Sequence, residues 1–455
     1  MKESLTLFNV RLPLSGGDSL YRITVEDGKW SRIEKQQGTD IVSGSVPLDE
    51  LPRTWTFETP EILPTVDVAG KLVLPGLIDS HMHLDKAFSF PKVGNVSGTL
   101  GEAIRNYGTS ASSFTKEEIK GRIKRTALQA ASYGTTAIRT HLDLNLFGGR
   151  EVAMRTIEAA LEIRETLSPY ITIQLFPMYP WSLYSSNELE VVEETLRMGV
   201  DGLGGASHLS ETPSENVDAI FRLAARYGCP IDLHTDENDD PRVRTAPYIA
   251  QLTKKYGYEG KVTVGHLCSL AAMPDADAAA IVEAMADAKL KAVTNPATNL
   301  YVQGRGDGFP FRRGITRVRS IMDAGIPLAA ASDNIYDPFH PFGRGDLIQI
   351  AQLTAYAAHM GSSDDIQVLL RMITEMPAVI LGLEGYGIAQ GNFADFLILD
   401  CESPEELFAM LPERRWIYRS GRWLRTVPPK PEWNGPDLSG HWEEALRFAS
   451  FPGNR

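Results

Sequence analysis

Two hydrophobic rhythms divide the chain. Over the first 70 residues short β-like phrases dominate: 5–10 and 21–25 read as strands, and Asp27-Gly28 reads as a hairpin turn leading into 30–33. The stretch 39–64 is polar and Pro-containing and reads as loop. From Leu74 onward, short apolar phrases alternate with stretches such as 151–167 and 188–198, which carry the 3.6-residue period with charged outer faces. Eight such phrases occur, at 74–83, 136–141, 171–176, 202–208, 230–234, 262–266, 291–295 and 326–333. Eight strand–helix units predict an α/β fold with a TIM-type (β/α)8 barrel. The competing open, doubly wound sheet usually places a Gly-rich nucleotide turn after its first strand, and here that strand ends in His81-Met82-His83. After the barrel, 386–389, 394–400 and 416–424 return to β character. The predicted organisation is a small β-sandwich built from both chain ends (1–72 and 385–427), the barrel (73–384), and an extended tail (428–455) with one short helix near Trp442 to Phe448.

Composition narrows the class of function. The 455 residues are 43% hydrophobic and 23% charged, as in an ordinary globular protein, and the net charge is −13. No basic stretch interleaved with aromatics is present, which argues against nucleic acid and anionic membrane as partners. No apolar run reaches the length of a membrane span, and the N-terminus lacks a signal-peptide core. Cys229, Cys268 and Cys401 have no metal spacing and fit a reducing cytoplasm. Cys268 reads as a plain buried thiol.

The chemistry lies at the strand ends. Alternate residues of a strand share a face, so His81 and His83 point the same way. In barrel enzymes the C-terminal strand ends build the active site. That rule gathers His81 and His83 from strand one, His234 from strand five, His266 from strand six and Asp333 from strand eight. Imidazoles and a carboxylate at one mouth suit a divalent transition metal with a position open to water. His141 and His208 also end strands and read as hydrogen-bonded supports; His340, His359 and His441 read as surface or helix residues. Glu237, three residues after His234, faces the same mouth and is the candidate proton carrier. Asp236, Asp239 and Asp240 read as loop charges.

These phrases resemble the amidohydrolase superfamily, and within it the cytosine deaminase-like branch. Pro75 to Asp85 is similar to the family's first-strand metal motif, and His234-Thr235-Asp236-Glu237 to its third ligand with the proton-shuttling glutamate. Val262 to His266 is similar to its strand-six histidine; Asn295-Pro296, Gln303-Gly304-Arg305 and 312–318 resemble the segment before strand eight, and Ser332-Asp333-Asn334 the final ligand. The resemblance implies one metal, zinc or iron, held by His81, His83, His234 and Asp333, with Glu237, His266 and Asp333 catalytic. It also implies a homo-oligomer. Two departures stand out. Cytosine deaminases carry a glutamine after the Phe-Pro of strand three, where this chain has Met178-Tyr179; and the residue after the strand-eight aspartate is Asn334 rather than a second aspartate. An amide donates and accepts whereas a carboxylate mainly accepts, so a substrate other than cytosine is expected. Met178, Tyr179, Arg305 and Asn334 are the candidate substrate contacts.

The expected function is hydrolytic deamination of an amino-substituted nitrogen heterocycle, a small-molecule substrate such as a pyrimidine or triazine. Metal-activated water attacks the amino-bearing ring carbon while Glu237 moves the proton. Two alternatives remain open at this level: a cyclic-amide hydrolase or alkylamine-removing aminohydrolase on the same fold, and a non-catalytic scaffold.

Overall fold

The eight apolar phrases form eight neighbouring strands, Leu77–Met82, Thr135–Leu142, Thr172–Tyr179, Leu203–Gly205, Ile231–Thr235, Val262–His266, Lys291–Thr294 and Leu328–Ala330. They hydrogen-bond in chain order as a parallel sheet. Buried on both faces, such strands read as near-continuous apolar runs rather than as alternating ones. The sheet curls into a barrel: Met82 bridges Asp333 in parallel register, and the Asp333 N–H donates to the His81 carbonyl at 2.8 Å. This bond brings the segment after the eighth strand to the first, which is how two metal-site candidates 252 residues apart become neighbours.

This computed structural model describes residues 4–17, 19–51, 65–181, 186–309 and 311–427, with Leu438, His441 and Glu444. Of the helix expected near Trp442 to Phe448, Glu444 is described and helical, and the other residues lie outside the described ones. The chain divides into two compact units, Ile78–Gly361 with Arg371–Leu383, and Met1–Leu77 with Ser362–Leu370 and Glu384–Arg455.

In the barrel unit the helices cover the sheet with one apolar face each. Arg150–Leu167 buries Val152, Met154, Ile157, Ala160, Ile163 and Leu167, the three-to-four spacing of a helical stripe, and turns glutamates and arginines outward. Leu100–Ser110 is a helix inserted between the first two strands; its N-cap Thr99 accepts from the Glu102 N–H. The short fourth strand follows a close approach. A Cβ at Gly202 would lie 2.2 Å from the Phe176 ring and 2.8 Å from the Pro230 carbonyl oxygen. Phe176 cannot yield, because it is fully buried with the Arg139 guanidinium 4.3 Å over its ring. Gly202→Ala therefore lowers unfolding free energy by about 1–3 kcal/mol, the usual cost of overpacking; a denaturation midpoint equal to that of the wild type would contradict this packing.

The other unit holds the β-domain expected from both chain ends. Among the described residues its sheet is a nine-stranded mixed one in which Phe396–Leu399 joins Leu72–Pro75 antiparallel, and Leu72–Pro75 lies beside Ser4–Arg11. Asp27 and Gly28 take φ of 50° and 73°, the left-handed pair that a tight hairpin needs. Trp30, Phe396, Tyr418 and Trp423 pack ring on ring in its core. Among the described residues no helix is long and apolar enough to cross a membrane.

Candidate metal centre and active site

Strand geometry places His81 and His83 at one end of the first strand with their rings on the same side, 0% and 4% exposed. Their Nε2 atoms lie 3.1 and 3.0 Å from Nε2 of His234, and 3.5 and 3.3 Å from Oδ1 of Asp333. His266 joins the same cluster, with a ligand atom within 4.8 Å of those of His81, His234 and Asp333. Burial holds all three of His81, His83 and His234 well below the usual histidine range, so the rings are neutral. Neutral imidazole is the form that ligates. Donor atoms about 2.0–2.2 Å from a shared zinc-like ion necessarily sit about 3–3.5 Å apart. The N and O donors are borderline in hardness, which suits zinc or iron, and His81, His83, His234 and Asp333 fit such an ion.

The backbone around this mouth is strained. His266, Leu267, Asp333 and Asp236 all have positive φ, at 68°, 54°, 59° and 51°. Non-glycine residues in this region cost energy and cluster where function fixes a side chain's aim. Asp236, expected as a loop charge, is instead 1% exposed. Its carboxylate accepts from the Thr245 N–H and hydroxyl at 2.8 and 2.5 Å and from the Ala246 N–H at 3.1 Å, at the start of the helix Ala246–Tyr256. That anchor fixes the loop carrying Glu237. The Glu237 Oε1 lies 3.4 Å from His266 Nδ1 and accepts from the Asn299 amide at 3.4 Å. Burial pushes the Glu237 carboxyl well above the usual carboxylate range, the Asp333 charge adds to it, and Lys86 opposes. Burial lowers His266 to about 4, so it is neutral. Asn295 and Asn299 each set an amide against one of its ring nitrogens, at 3.1 and 3.0 Å.

A cavity of about 670 Å³ opens onto this floor. Its lining includes His83, His234, Glu237, His266 and Asp333, with Leu100, Ile104, Phe147, Met178, Trp181 and Phe339 among the walls. Of the four candidate substrate contacts, Met178 and Asn334 line it. Tyr179, one residue on in the strand, is not among the lining residues, and strand alternation sends its side chain to the opposite face. Arg305 is also absent from the lining: its guanidinium stacks 4.4 Å over Tyr301 and donates to the Ser97 carbonyl at 3.4 Å. His141 packs 4.1 Å from the His81 ring, and His208 Nδ1 is 3.2 Å from the His234 carbonyl oxygen. His340, expected at the surface, is 5% exposed, its Nδ1 3.0 Å from the Asn334 carbonyl oxygen. Cys268 is buried.

Sequence reasoning missed Asn299 and the Lys86–Asp143 pair. Asn299 stands four residues after Asn295 at the start of a helix, the spacing that lets both reach one ring, and this was the available signal. Lys86 and Asp143 line the cavity as a close ion pair, Nζ to Oδ1 2.9 Å.

A barrel whose strand ends gather imidazoles, a carboxylate and a buried glutamate is the architecture of a metal-dependent hydrolase. The chain belongs to the amidohydrolase family, whose model matches residues 91–418. The match starts beyond His81 and His83, so their assignment rests on geometry. The chain is 30% identical over 393 residues to a pterin deaminase of Rhizobium rhizogenes, covering 85% of this chain and 88% of that one. It is 30% identical over 368 residues to an N-isopropylammelide isopropyl amidohydrolase of a Pseudomonas species, covering 78% and 87%. Among solved structures, a 5-methylcytosine deaminase from Klebsiella pneumoniae liganded with 5-fluorocytosine superposes with a TM-score of 0.84 at 27% identity, covering 95% of this chain and all of that one.

Proposed function

We propose that this protein is a metal-dependent hydrolase of carbon–nitrogen bonds that deaminates an amino-substituted nitrogen heterocycle. The observation that carries it is the buried Glu237 carboxyl set 3.4 Å from His266 beside the His81–His83–His234–Asp333 cluster. A zinc or iron ion held by His81, His83, His234 and Asp333 would lower the pKa of bound water so that hydroxide is available near neutral pH. Asp333 and His266 orient the attacking water toward the ring carbon that bears the amino group. Glu237, held protonated by burial, gives its proton to the ring nitrogen beside that carbon, takes one from the attacking water, passes it to the departing amine, and regains one from the ring-bound hydroxyl as that becomes the carbonyl. Asn299 keeps the Glu237 carboxyl and the His266 ring in register.

The relatives act, by name, on pterin, on an isopropylammelide and on 5-methylcytosine. A cavity of about 670 Å³ lies within the range of about 300–1,000 Å³ that holds drug-sized ligands. It has room beyond a single six-membered ring, which favours a bicyclic or substituted substrate. Removal of an alkylamine from a ring is a second reading, supported by the apolar Leu100, Ile104, Leu144 and Phe147 in the wall. Product identity separates them: free ammonia with the ring intact supports deamination, a free alkylamine the second reading, and a new carboxylate would contradict both. A homo-oligomeric assembly and a cytoplasmic location are proposed on family resemblance.

A further inference from the structure

The Lys86–Asp143 pair has no part in holding a metal or moving a proton, yet it sits in the same cavity as Glu237 and Asp333. Lys86 is 4% exposed, and its ammonium lies over the Phe339 and Tyr107 rings at 4.6 and 5.7 Å. Burying an ammonium is costly unless it is paired, and among the described residues its one close ion-pair partner is Asp143, at 2.9 Å. The other two N–H donors of the ammonium meet no further acceptor among the described residues. Asp143 is itself turned partly to the cavity, its side chain 23% exposed, while its backbone N–H is pinned by Asp85 Oδ2 at 3.0 Å. The Lys86 N–H donates to the His83 carbonyl at 3.2 Å, so the pair is tied by backbone to the ligand strand. Both members of the pair line the cavity. An ammonium beside a carboxylate presents a donor next to an acceptor with no net charge, and the complement on a ligand is an acceptor next to a donor. That complement is the –C(=O)–NH– edge of a lactam ring. Met178 offers no amide for this purpose on strand three, and among the described residues no other side-chain pair in the lining couples a buried lysine or arginine to a carboxylate in this way.

We infer that Lys86 and Asp143 form the specificity element of the site, reading the oxo-and-NH edge of the heterocycle, so that the substrate class is an amino-substituted ring lactam. This rests on the deaminase reading above. The ammonium is kept charged by Asp143 and Asp85, whose pull exceeds the effect of burial.

The test compares pterin and isocytosine, which carry the lactam edge, with aminopteridine and aminopyrimidine bearing the amino group at the same position but no ring oxygen. The wild-type enzyme, metal-analysed, is expected to favour the lactam rings a hundredfold or more in kcat/KM, because a site built for a hydrogen bond rejects the analogue that lacks it. Lys86→Met, still holding one metal per chain, is expected to cut that preference below tenfold. Equal use of both ring classes by the wild type, or an unchanged preference in Lys86→Met, overturns the inference while leaving deamination standing. Should Lys86→Met fail to fold, Asp143→Asn serves instead: its amide can donate where the carboxylate could only accept, and the requirement for the ring N–H is expected to disappear. If no ring releases ammonia, the deaminase reading fails on its own. The inference is then read by calorimetry with uracil, an unreactive lactam: binding weakened tenfold or more in Lys86→Met supports it, and unchanged binding overturns it.

Discussion

Glu237→Gln lowers the turnover number for ammonia release by about 10²–10⁴, the usual worth of a positioned general acid–base, while the protein still holds its metal. The reason is the division of labour in the site. Glutamine has nearly the same shape and can still accept from Asn299 through its amide oxygen, so the loop fixed by Asp236 keeps its place. Glutamine cannot, however, carry a proton. Glu237 is proposed for that role because burial and the Asp333 charge both resist its ionisation. The cost should fall on kcat rather than on KM, since the interaction matters most in the transition state. Metal analysis beside kinetics decides the case. A variant that loses its metal would show Glu237 to be a ligand, and near-wild-type turnover would remove it from the mechanism.

Removing the metal has the second large effect. Dialysis against a chelator is expected to abolish turnover, and stoichiometric zinc or iron to restore it. The neutral rings of His81 and His83 each bring Nε2 within about 3 Å of His234 Nε2, a convergence of nitrogen donors that a cation between them would stabilise. An ion that binds only the folded chain adds stability by mass action, about 2.7 kcal/mol at a free concentration a hundred times its Kd. The metal-free chain should therefore melt at a lower temperature and recover on reloading. His83→Ala is expected to reproduce both losses without a chelator, because it removes one of the converging donors. A chelated chain with full activity and an unchanged melting temperature would show that the cluster is a structural knot of histidines.

Much of this architecture was legible in the sequence, and the pattern of what was not is physical. The eight strands stand out because a parallel barrel buries both faces of each strand, leaving uninterrupted apolar phrases between amphipathic helices. His81, His83, His234, His266 and Asp333 were legible because each ends such a phrase, and strand ends at one barrel mouth converge. Lys86, Asp143 and Asp236 were not. A charged residue in a loop looks solvated until the packing around it is known, and nothing local in Asp85-Lys86 announces that Phe339, more than 250 positions away, closes over the ammonium. Arg305 fails in the opposite direction: it follows a family-like phrase, but Tyr301 and Ser97 hold it away from the cavity lining. His340 looked peripheral because its phrase has no helical or strand period, whereas the turn built on Asp337 folds it inward.

The most direct test of the central claim is ammonia release by purified protein of known metal content, offered amino-pterins, amino-pyrimidines and amino-triazines. Turnover of at least one of these ring classes is expected, in proportion to metal bound and with the ring intact. No ammonia from any ring, by protein carrying one metal ion per chain, would contradict it.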